Sequence, residues 1–432
     1  MSYEYILERN SFLVDETPPL RLSQVRRGAR VTLRASCVDS SNMTFESWAD
    51  YRTTSNTTID PARQRALAGT YKGTDPFGLC WSMTSVPERA FARDLRPIST
   101  RIRAEIDGEQ IGALDCERLR VRADVRARDV RCGGLIATFF VSEGSTPRGA
   151  VVVLGGSEGG IGLAEELAAL LASHDFAALA VAYFGVKGLP GRLVRIPVEY
   201  VESAAEWLLN QPETAGLGIG VLGVSRGGEL ALLLATSFPK IRAVVGFAAS
   251  SVVWPGFTQG LDCYSAWTRE GKDVAFAVPR TMPLSSRASG PLVSRPWFFS
   301  TAQDQNAREC AMIPMELIHG AVLLVSGGDD QVWPSQFLAE LAMQRLNHSG
   351  NAQTARHLHL TYQHAGHGVG RAPGLPAAPT VVVDQSGISY SLGGSKVGNA
   401  RSAQHSWPQV ISFFAQHLAA SSMAVESQRG YR

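Results

Sequence analysis

Paired cysteines are missing from this sequence. Its six cysteines are scattered along 432 residues, and no two of them form a C-x-x-C. Zinc ribbons and thioredoxin-type centres depend on such pairs, so the sequence argues against both. The spacing of the nine histidines does not supply a metal site either. We therefore predict a protein without a metal ion or other cofactor.

Long apolar runs and an excess of one charge are absent as well. No stretch approaches the roughly 18 uncharged apolar residues of a membrane helix. The start, MSYEYILERN, lacks a basic segment followed by an apolar one. The 41 basic residues are balanced by 39 acidic ones, which gives no reason to expect nucleic-acid binding. These absences predict a soluble, cytoplasmic protein that acts on neither nucleic acid nor membranes.

The pattern of the sequence changes once along the chain. Residues 14–141 contain short alternating segments, such as ARVTLRAS (Ala29–Ser36), separated by Pro, Gly, Asn and Ser clusters. Regularly spaced short strands of this kind predict an all-β, immunoglobulin-like sandwich. Residues 1–13 and 421–432 are predicted to be terminal tails.

Apolar runs alternate with helical patterns in residues 142–420. AVVVLGG (Ala150–Gly156) and FAALAVAYFG (Phe176–Gly185) are typical of strands covered on both faces. The alternation predicts an α/β domain with a mostly parallel sheet. Residues 254–312 interrupt it and are rich in Ser, Pro and Arg. This insertion is either a cap over a pocket or an irregular surface segment.

The most informative motif is G-x-S-x-G at Gly223–Gly227. An apolar strand pattern ends at its first glycine and a helical pattern begins at its last, which is the context of a nucleophile elbow. Such a turn exposes the Ser225 hydroxyl above the sheet and directs the backbone N–H of Arg226 at a developing oxyanion. The motif predicts an α/β-hydrolase domain with Ser225 as nucleophile.

Acid and base should follow the nucleophile in that order. Two aspartates follow the strand pattern that ends at Val325, and we favour Asp330 over Asp329 because of its spacing from Gly327. His367 lies in a Gly-His-Gly loop after the last strand pattern and is the preferred base, with His364 as its rival. In this arrangement the base takes the serine proton while the acid holds the imidazole tautomer.

A second oxyanion donor is expected from the small residues after the first buried strand. That loop is GGSEGG (Gly155–Gly160), and Gly156 and Ser157 are the candidates. Its glycine spacing does not fit the G-x-G-x-x-G of a dinucleotide site, and no ribose-binding acid follows about 20 residues on.

Several long segments resemble the family of acyl-CoA thioesterases and bile acid-CoA:amino acid N-acyltransferases. The resemblance spans about Val14 to Leu418. It is carried by the segments Asp15–Ser36, Gly69–Met83, Gly223–Leu230, GGDDQVWPS (Gly327–Ser335), YQHAGH (Tyr362–His367) and GGSKVGNARSAQHSW (Gly393–Trp407).

The resemblance implies an acyl-CoA substrate and an acyl-enzyme formed on Ser225, with Asp330 and His367 as its partners. In that family a cysteine nucleophile accompanies amino-acid conjugation and a serine accompanies hydrolysis. We therefore predict an acyl-CoA thioesterase. An N-acyltransferase with an amine or amino-acid acceptor, a carboxylesterase or peptidase, and a non-catalytic binding protein are the alternatives.

Coenzyme A would need cations for its phosphates. Lys187, Arg192 and Arg195 follow a buried strand, at the edge of the sheet where ligands bind in α/β folds. They are candidate phosphate contacts, although a solvated basic loop has the same pattern. The Arg226 side chain is interpreted first as a helix-start residue and second as a group that binds an acceptor's carboxylate or sulfonate.

Overall fold

The computed structural model describes residues 4–7, 9–54, 57–257, 262–279, 290–348, 356–383 and 387–419. The predicted C-terminal tail and two parts of the 254–312 insertion lie outside these ranges. Within them, no helix has the length and apolar character needed to cross a membrane.

The N-terminal part of the chain is built on one six-stranded sheet with the order β2-β8-β7-β4-β5-β6. Alternation places Val31, Leu33 and Ala35 of β4 in the core. A separate two-stranded sheet joins β1 to β3, and the immunoglobulin-like sandwich stays a prediction. The elements are β1 (Glu4–Leu7), β2 (Ser11–Leu13), β3 (Leu20–Ser23), β4 (Arg30–Val38), β5 (Thr44–Arg52), β6 (Ala68–Gly69), α1 (Gly78–Trp81), β7 (Ile98–Ile106) and β8 (Glu109–Leu119).

The structure corrects the predicted N-terminal tail (residues 1–13) in its described part, residues 4–7 and 9–13. β1 pairs with β3, and β2 pairs in parallel with β8 at the edge of the six-stranded sheet. The physical reason lies in β2, whose Phe12 and Leu13 side chains are buried. Burying apolar side chains of this size stabilises the pairing of a strand that is only three residues long.

The predicted domain boundary at residues 141–142 also needs correction. Val125–Cys132 (β9) and Leu135–Ser142 (β10) form a hairpin, and β10 continues into the second sheet by pairing with Ala177–Ala182 (β12). β10 is nearly continuous in apolar residues and buries Phe139 and Phe140, as a strand covered on both faces does. The change from one sheet to the other therefore falls between β8 and β9.

The second sheet has eight strands in the order β19-β18-β15-β14-β11-β12-β10-β9. Six consecutive strands, from β19 to β12, run parallel. The other strands and α-helices of the described residues are β11 (Ala150–Leu154), α2 (Gly162–Ser173), β12 (Ala177–Ala182), β13 (Ile196–Pro197), α3 (Val198–Leu209), β14 (Ile219–Val224), α4 (Arg226–Ser237), β15 (Ile241–Phe247), β16 (Trp267–Arg269), β17 (Lys272–Asp273), α5 (Arg295–Gln303), α6 (Gln305–Ala311), β18 (Ala321–Gly327), α7 (Ser335–His348), β19 (Leu358–Tyr362), β20 (Val381–Val383), β21 (Ser389–Ser391) and α8 (Lys396–Leu418).

The described parts of the 254–312 insertion pack against the second sheet's loops. The Phe298 ring of α5 lies 4.8 Å from the ring of Trp254 and 5.9 Å from that of Trp333, edge to face in both cases. The amide of Arg295 donates to the carbonyl of Gln331 at 3.0 Å. The insertion is therefore anchored beside the loop after β18; its role as a cap stays a prediction.

The two parts of the chain share a continuous hydrophobic core and several hydrogen bonds. The buried Arg118 of β8 donates from Nη1 to the Gly374 carbonyl at 2.5 Å. The Ala377 amide donates to the Trp81 carbonyl at 2.9 Å. The loop that follows His367 is thus packed on the N-terminal part.

Candidate active site

Ser225 lies on a sharp turn between β14 and α4. Its φ is +55°, a left-handed conformation that non-glycine residues adopt only where the surroundings impose it. A Cβ at Gly227 would clash with the carbonyl of Gly155, so the motif's last glycine allows the helix to approach the neighbouring loop. The turn places Ser225 at the carboxyl edge of the parallel strands, where ligands bind in open α/β sheets.

The structure brings together the three residues that the sequence singled out for catalysis. His367 Nε2 lies 2.8 Å from Ser225 Oγ, and His367 Nδ1 lies 2.9 Å from Asp330 Oδ2. The second carboxylate oxygen of Asp330 accepts hydrogen bonds from the amides of Val332 and Trp333 at 2.9 and 3.3 Å. The Asp330 side chain is only 1% exposed, so its orientation is set by protein groups rather than by solvent.

The two rival residues lie elsewhere. Asp329 accepts from the Gly394 amide at 2.9 Å and from the Gln331 side chain at 2.5 Å, which makes it a carboxylate that joins two loops. His364 is exposed, and its carbonyl accepts from the amide of Ser395 at 2.9 Å. Among the described residues, the side chains of Asp329 and His364 form no hydrogen bond with Ser225 or His367.

The loop proposed to complete an oxyanion site lies beside the elbow. A Cβ at Gly156 would be 3.5 Å from the carbonyl of Val224. The buried Tyr183 hydroxyl donates to the Gly155 carbonyl at 2.7 Å, and it also lies 3.3 Å from the Gly156 carbonyl oxygen. Burial raises the pKa of Tyr183, so it remains a donor.

Sequence reasoning missed Tyr183, although it directly follows the buried strand β12 at the same sheet edge. Since its hydroxyl holds the carbonyls of this loop, Tyr183 restricts the orientation of the peptides that carry the Gly156 and Ser157 amides. Arg226 is the first residue of α4, and the first amides of a helix have no partner within it.

The guanidinium of Arg226 is buried inside the protein. It pairs with Glu229 Oε2 at 2.9 Å and donates to the carbonyls of Trp254 and Pro255 at 3.0 and 3.1 Å. Glu229 also accepts from the Trp267 indole at 2.6 Å, and burial raises the pKa of Glu229 to about 7. Arg226 is therefore a helix-start residue whose side chain joins α4 to the insertion. Its guanidinium is hydrogen-bonded to Glu229 and to the carbonyls of Trp254 and Pro255.

The three candidate phosphate-binding cations differ in their surroundings. Arg195 pairs with Asp273 at 2.7 Å, and its guanidinium lies 4.1 Å from the centre of the Tyr264 ring. Lys187 and Arg192 are exposed in the loop after β12 and have no ion pair with another described residue. Among the described residues, no three His, Cys, Asp or Glu side chains are grouped so as to hold a metal ion.

Aromatic packing covers one side of the imidazole. The Trp333 ring lies 5.4 Å from the His367 ring in an edge-to-face arrangement. The Trp333 indole donates to the Ala248 carbonyl at 3.0 Å, which fixes the ring. Trp333 also contacts Phe298, so the insertion and the His367 loop meet at this residue.

A serine, a histidine and an aspartate joined by hydrogen bonds at the carboxyl edge of a parallel sheet define a protein of the α/β-hydrolase-like class. Residues 196–420 match the family model described as BAAT / acyl-CoA thioester hydrolase C terminal. Residues 15–132 match the acyl-CoA thioester hydrolase/BAAT N-terminal region. The chain belongs to this family of acyl-CoA thioesterases and bile acid-CoA:amino acid N-acyltransferases.

Curated relatives are similar over nearly the whole chain. The mouse peroxisomal succinyl-coenzyme A thioesterase is 29% identical, with 90% of this chain and 91% of the relative covered. Human acyl-coenzyme A thioesterase 6 is 30% identical, with 90% of each covered. Mouse bile acid-CoA:amino acid N-acyltransferase is 30% identical, with 94% of this chain and 96% of the relative covered. The family thus contains enzymes that transfer an acyl group from coenzyme A either to water or to an amino acid.

Proposed function

We propose that this protein is an acyl-CoA thioesterase that works through an acyl-enzyme on Ser225. The observation that carries the proposal is the hydrogen-bonded chain from Ser225 through His367 to Asp330, in a chain of this family. Ser225 Oγ attacks the thioester carbonyl while His367 Nε2 takes its proton. The tetrahedral intermediate collapses, the carbon–sulfur bond breaks, and the coenzyme A sulfur leaves with that proton.

Deacylation repeats the same proton transfers with water. His367 removes a proton from a water molecule that attacks the Ser225 ester, and returns it to Ser225 Oγ as the free acid leaves. The amide of Arg226 and an amide at Gly156 or Ser157 stabilise the oxyanion in both steps. Tyr183 supports that role, because it holds the carbonyls of the loop after β11.

An N-acyltransferase is the second candidate, since relatives with that activity are as similar as the thioesterases. One chemical argument and one observation favour water as acceptor. A serine ester is less reactive toward amines, relative to water, than a cysteine thioester. The guanidinium of Arg226, the cation next to the nucleophile, is engaged by Glu229 and two carbonyls instead of facing an acceptor.

Coenzyme A phosphates are assigned, within this proposal, to Lys187 and Arg192. Both are exposed at the sheet edge that carries Ser225, and neither is neutralised by a described carboxylate. Arg195 is a weaker candidate because Asp273 already pairs with it.

Product analysis separates the two functions. The protein is incubated with a panel of acyl-CoA substrates, with and without glycine or taurine, and the products are identified by mass spectrometry. We expect free acid and free coenzyme A in all cases, with little conjugate. Ser225→Cys should raise the ratio of conjugate to acid. N-acyl amino acid as the main product of the wild type would assign the protein to the acyltransferases.

A further inference from the structure

The Gly393–Trp407 segment packs against the loop that carries His367. It matches the family but has no part in the proposed chemistry. It contains the start of α8, whose N-cap Ser395 accepts a hydrogen bond from the Gly398 amide at 3.0 Å. The Ser395 amide in turn donates to the His364 carbonyl at 2.9 Å. A Cβ at Gly398 would clash with that same carbonyl, so only glycine permits this approach of helix and loop.

Asn399 of α8 forms hydrogen bonds with the loop at Gly366, just before His367, and at Ala378, further along the chain. Its Oδ1 accepts from the Gly366 amide at 2.9 Å. A Cβ at Gly368 would lie 3.2 Å from its Nδ2. That Nδ2 donates to the Ala378 carbonyl at 3.2 Å, across the far end of the loop.

Burial makes these hydrogen bonds consequential. Asn399 is only 2% exposed, and both its acceptor and its donor are used by the loop. A buried amide that loses its partner is costly, and the Gly366 amide would be left unsatisfied by an apolar replacement. The backbone near the base has two further supports: the His367 amide donates to the Leu392 carbonyl at 2.8 Å, and the Ala365 carbonyl accepts from the Asp329 amide at 3.0 Å.

We propose that Asn399 is a positioning residue for the base: it holds the backbone at Gly366, next to His367, and at Ala378, so that the imidazole stays between Ser225 and Asp330. This inference rests on the proposed role of His367. Small displacements of such a group have large effects, because a proton is transferred efficiently only over a hydrogen-bond distance.

The test uses a fluorophosphonate probe, which labels Ser225 without any acyl-CoA. The second-order labelling rate is measured for the wild type, Asn399→Ala and Asn399→Asp, together with kcat and KM for acyl-CoA hydrolysis. We expect Asn399→Ala to label roughly tenfold more slowly and to lose the same factor in kcat, with KM unchanged. Asn399→Asp keeps an acceptor for the Gly366 amide, so its labelling rate and kcat should fall between those of the wild type and Asn399→Ala. If the alanine variant does not fold, the comparison of Asn399→Asp with the wild type tests the proposal.

Ser402→Ala is the matched control. Ser402 is equally buried in α8, and its hydroxyl donates only to the Asn399 carbonyl of its own helix, at 2.7 Å. It should lose stability in urea unfolding but label at the wild-type rate. In a His367→Ala background, Asn399→Ala should cause no further slowing.

Labelling of Asn399→Ala at the wild-type rate, equal slowing by Ser402→Ala, or a full further loss in the His367→Ala background would each overturn the positioning role. A wild type that is labelled normally but hydrolyses no acyl-CoA would refute the proposed function alone, and the labelling comparison would still decide the role of Asn399.

Discussion

Replacement of Asp330 by asparagine gives a sharp prediction, since the neighbouring Asp329 provides a matched control. In Asp330→Asn, the side-chain oxygen can still accept from the amides of Val332 and Trp333. The new amide then faces His367 Nδ1 and donates to it. That bond forces the imidazole proton onto Nε2, the atom that must accept the Ser225 proton.

The expected loss follows from this wrong tautomer. The equivalent change in a serine protease triad lowers kcat about 10⁴-fold, and at about 1.4 kcal/mol per factor of ten this is roughly 5.5 kcal/mol of transition-state stabilisation. Asp329→Asn keeps an acceptor for the Gly394 amide and should change kcat by less than about threefold.

The assay is the release of free coenzyme A thiol from acyl-CoA at neutral pH, with circular dichroism to check that both variants fold. Equal losses in the two variants would refute the assignment of the acid. A larger loss in Asp329→Asn would move the acid to Asp329.

Three further predictions concern residues around the site. Tyr183→Phe removes the hydroxyl that holds the loop after β11, and kcat should fall about tenfold with KM unchanged; a normal kcat would remove Tyr183 from oxyanion positioning. The pKa of Glu229 is raised by burial to about 7, so the folded state binds its proton more tightly than the unfolded state does. Stability from this group is therefore present below pH 4.5, its ordinary pKa, and is lost as the pH rises through about 7. Chemical denaturation should show this trend in the wild type but not in Glu229→Gln. Arg192→Ala should raise KM for acyl-CoA about threefold to tenfold and leave KM for an acyl-pantetheine ester unchanged. Arg195→Ala should have a smaller effect on KM, because Arg195 already pairs with Asp273. Equal effects of Arg192→Ala on both substrates would remove Arg192 from phosphate contact.

The residues of the candidate site can be found in the sequence because each follows a strand pattern. A nucleophile elbow is a local motif, and the carboxyl ends of parallel strands meet at one edge of the sheet, so Ser225, Asp330 and His367 are expected near one another. The pairing of Arg226 with Glu229 is also a local signal, since residues three apart lie on the same face of a helix.

The supporting residues cannot be found in this way. Tyr183 reaches a carbonyl 28 positions away and Asn399 reaches an amide 33 positions away, and no periodicity encodes such contacts. The N-terminal strands β1 and β2 are too short for a pattern, although their partners in the fold are defined. β9 has mostly exposed residues and resembles an edge strand of a sandwich, and only its pairing with β10 shows that it belongs to the eight-stranded sheet.

The proposed mechanism depends most directly on Ser225, and the turnover of acyl-CoA by Ser225→Ala tests it. Thiol release is measured under saturating acyl-CoA, with purified wild type and variant of equal circular dichroism and equal urea midpoint. Loss of the nucleophile should lower kcat by a factor on the order of 10⁴–10⁶. A variant that retains turnover within about tenfold of the wild type would contradict the serine acyl-enzyme and, with it, the catalytic role of the Ser225–His367–Asp330 chain.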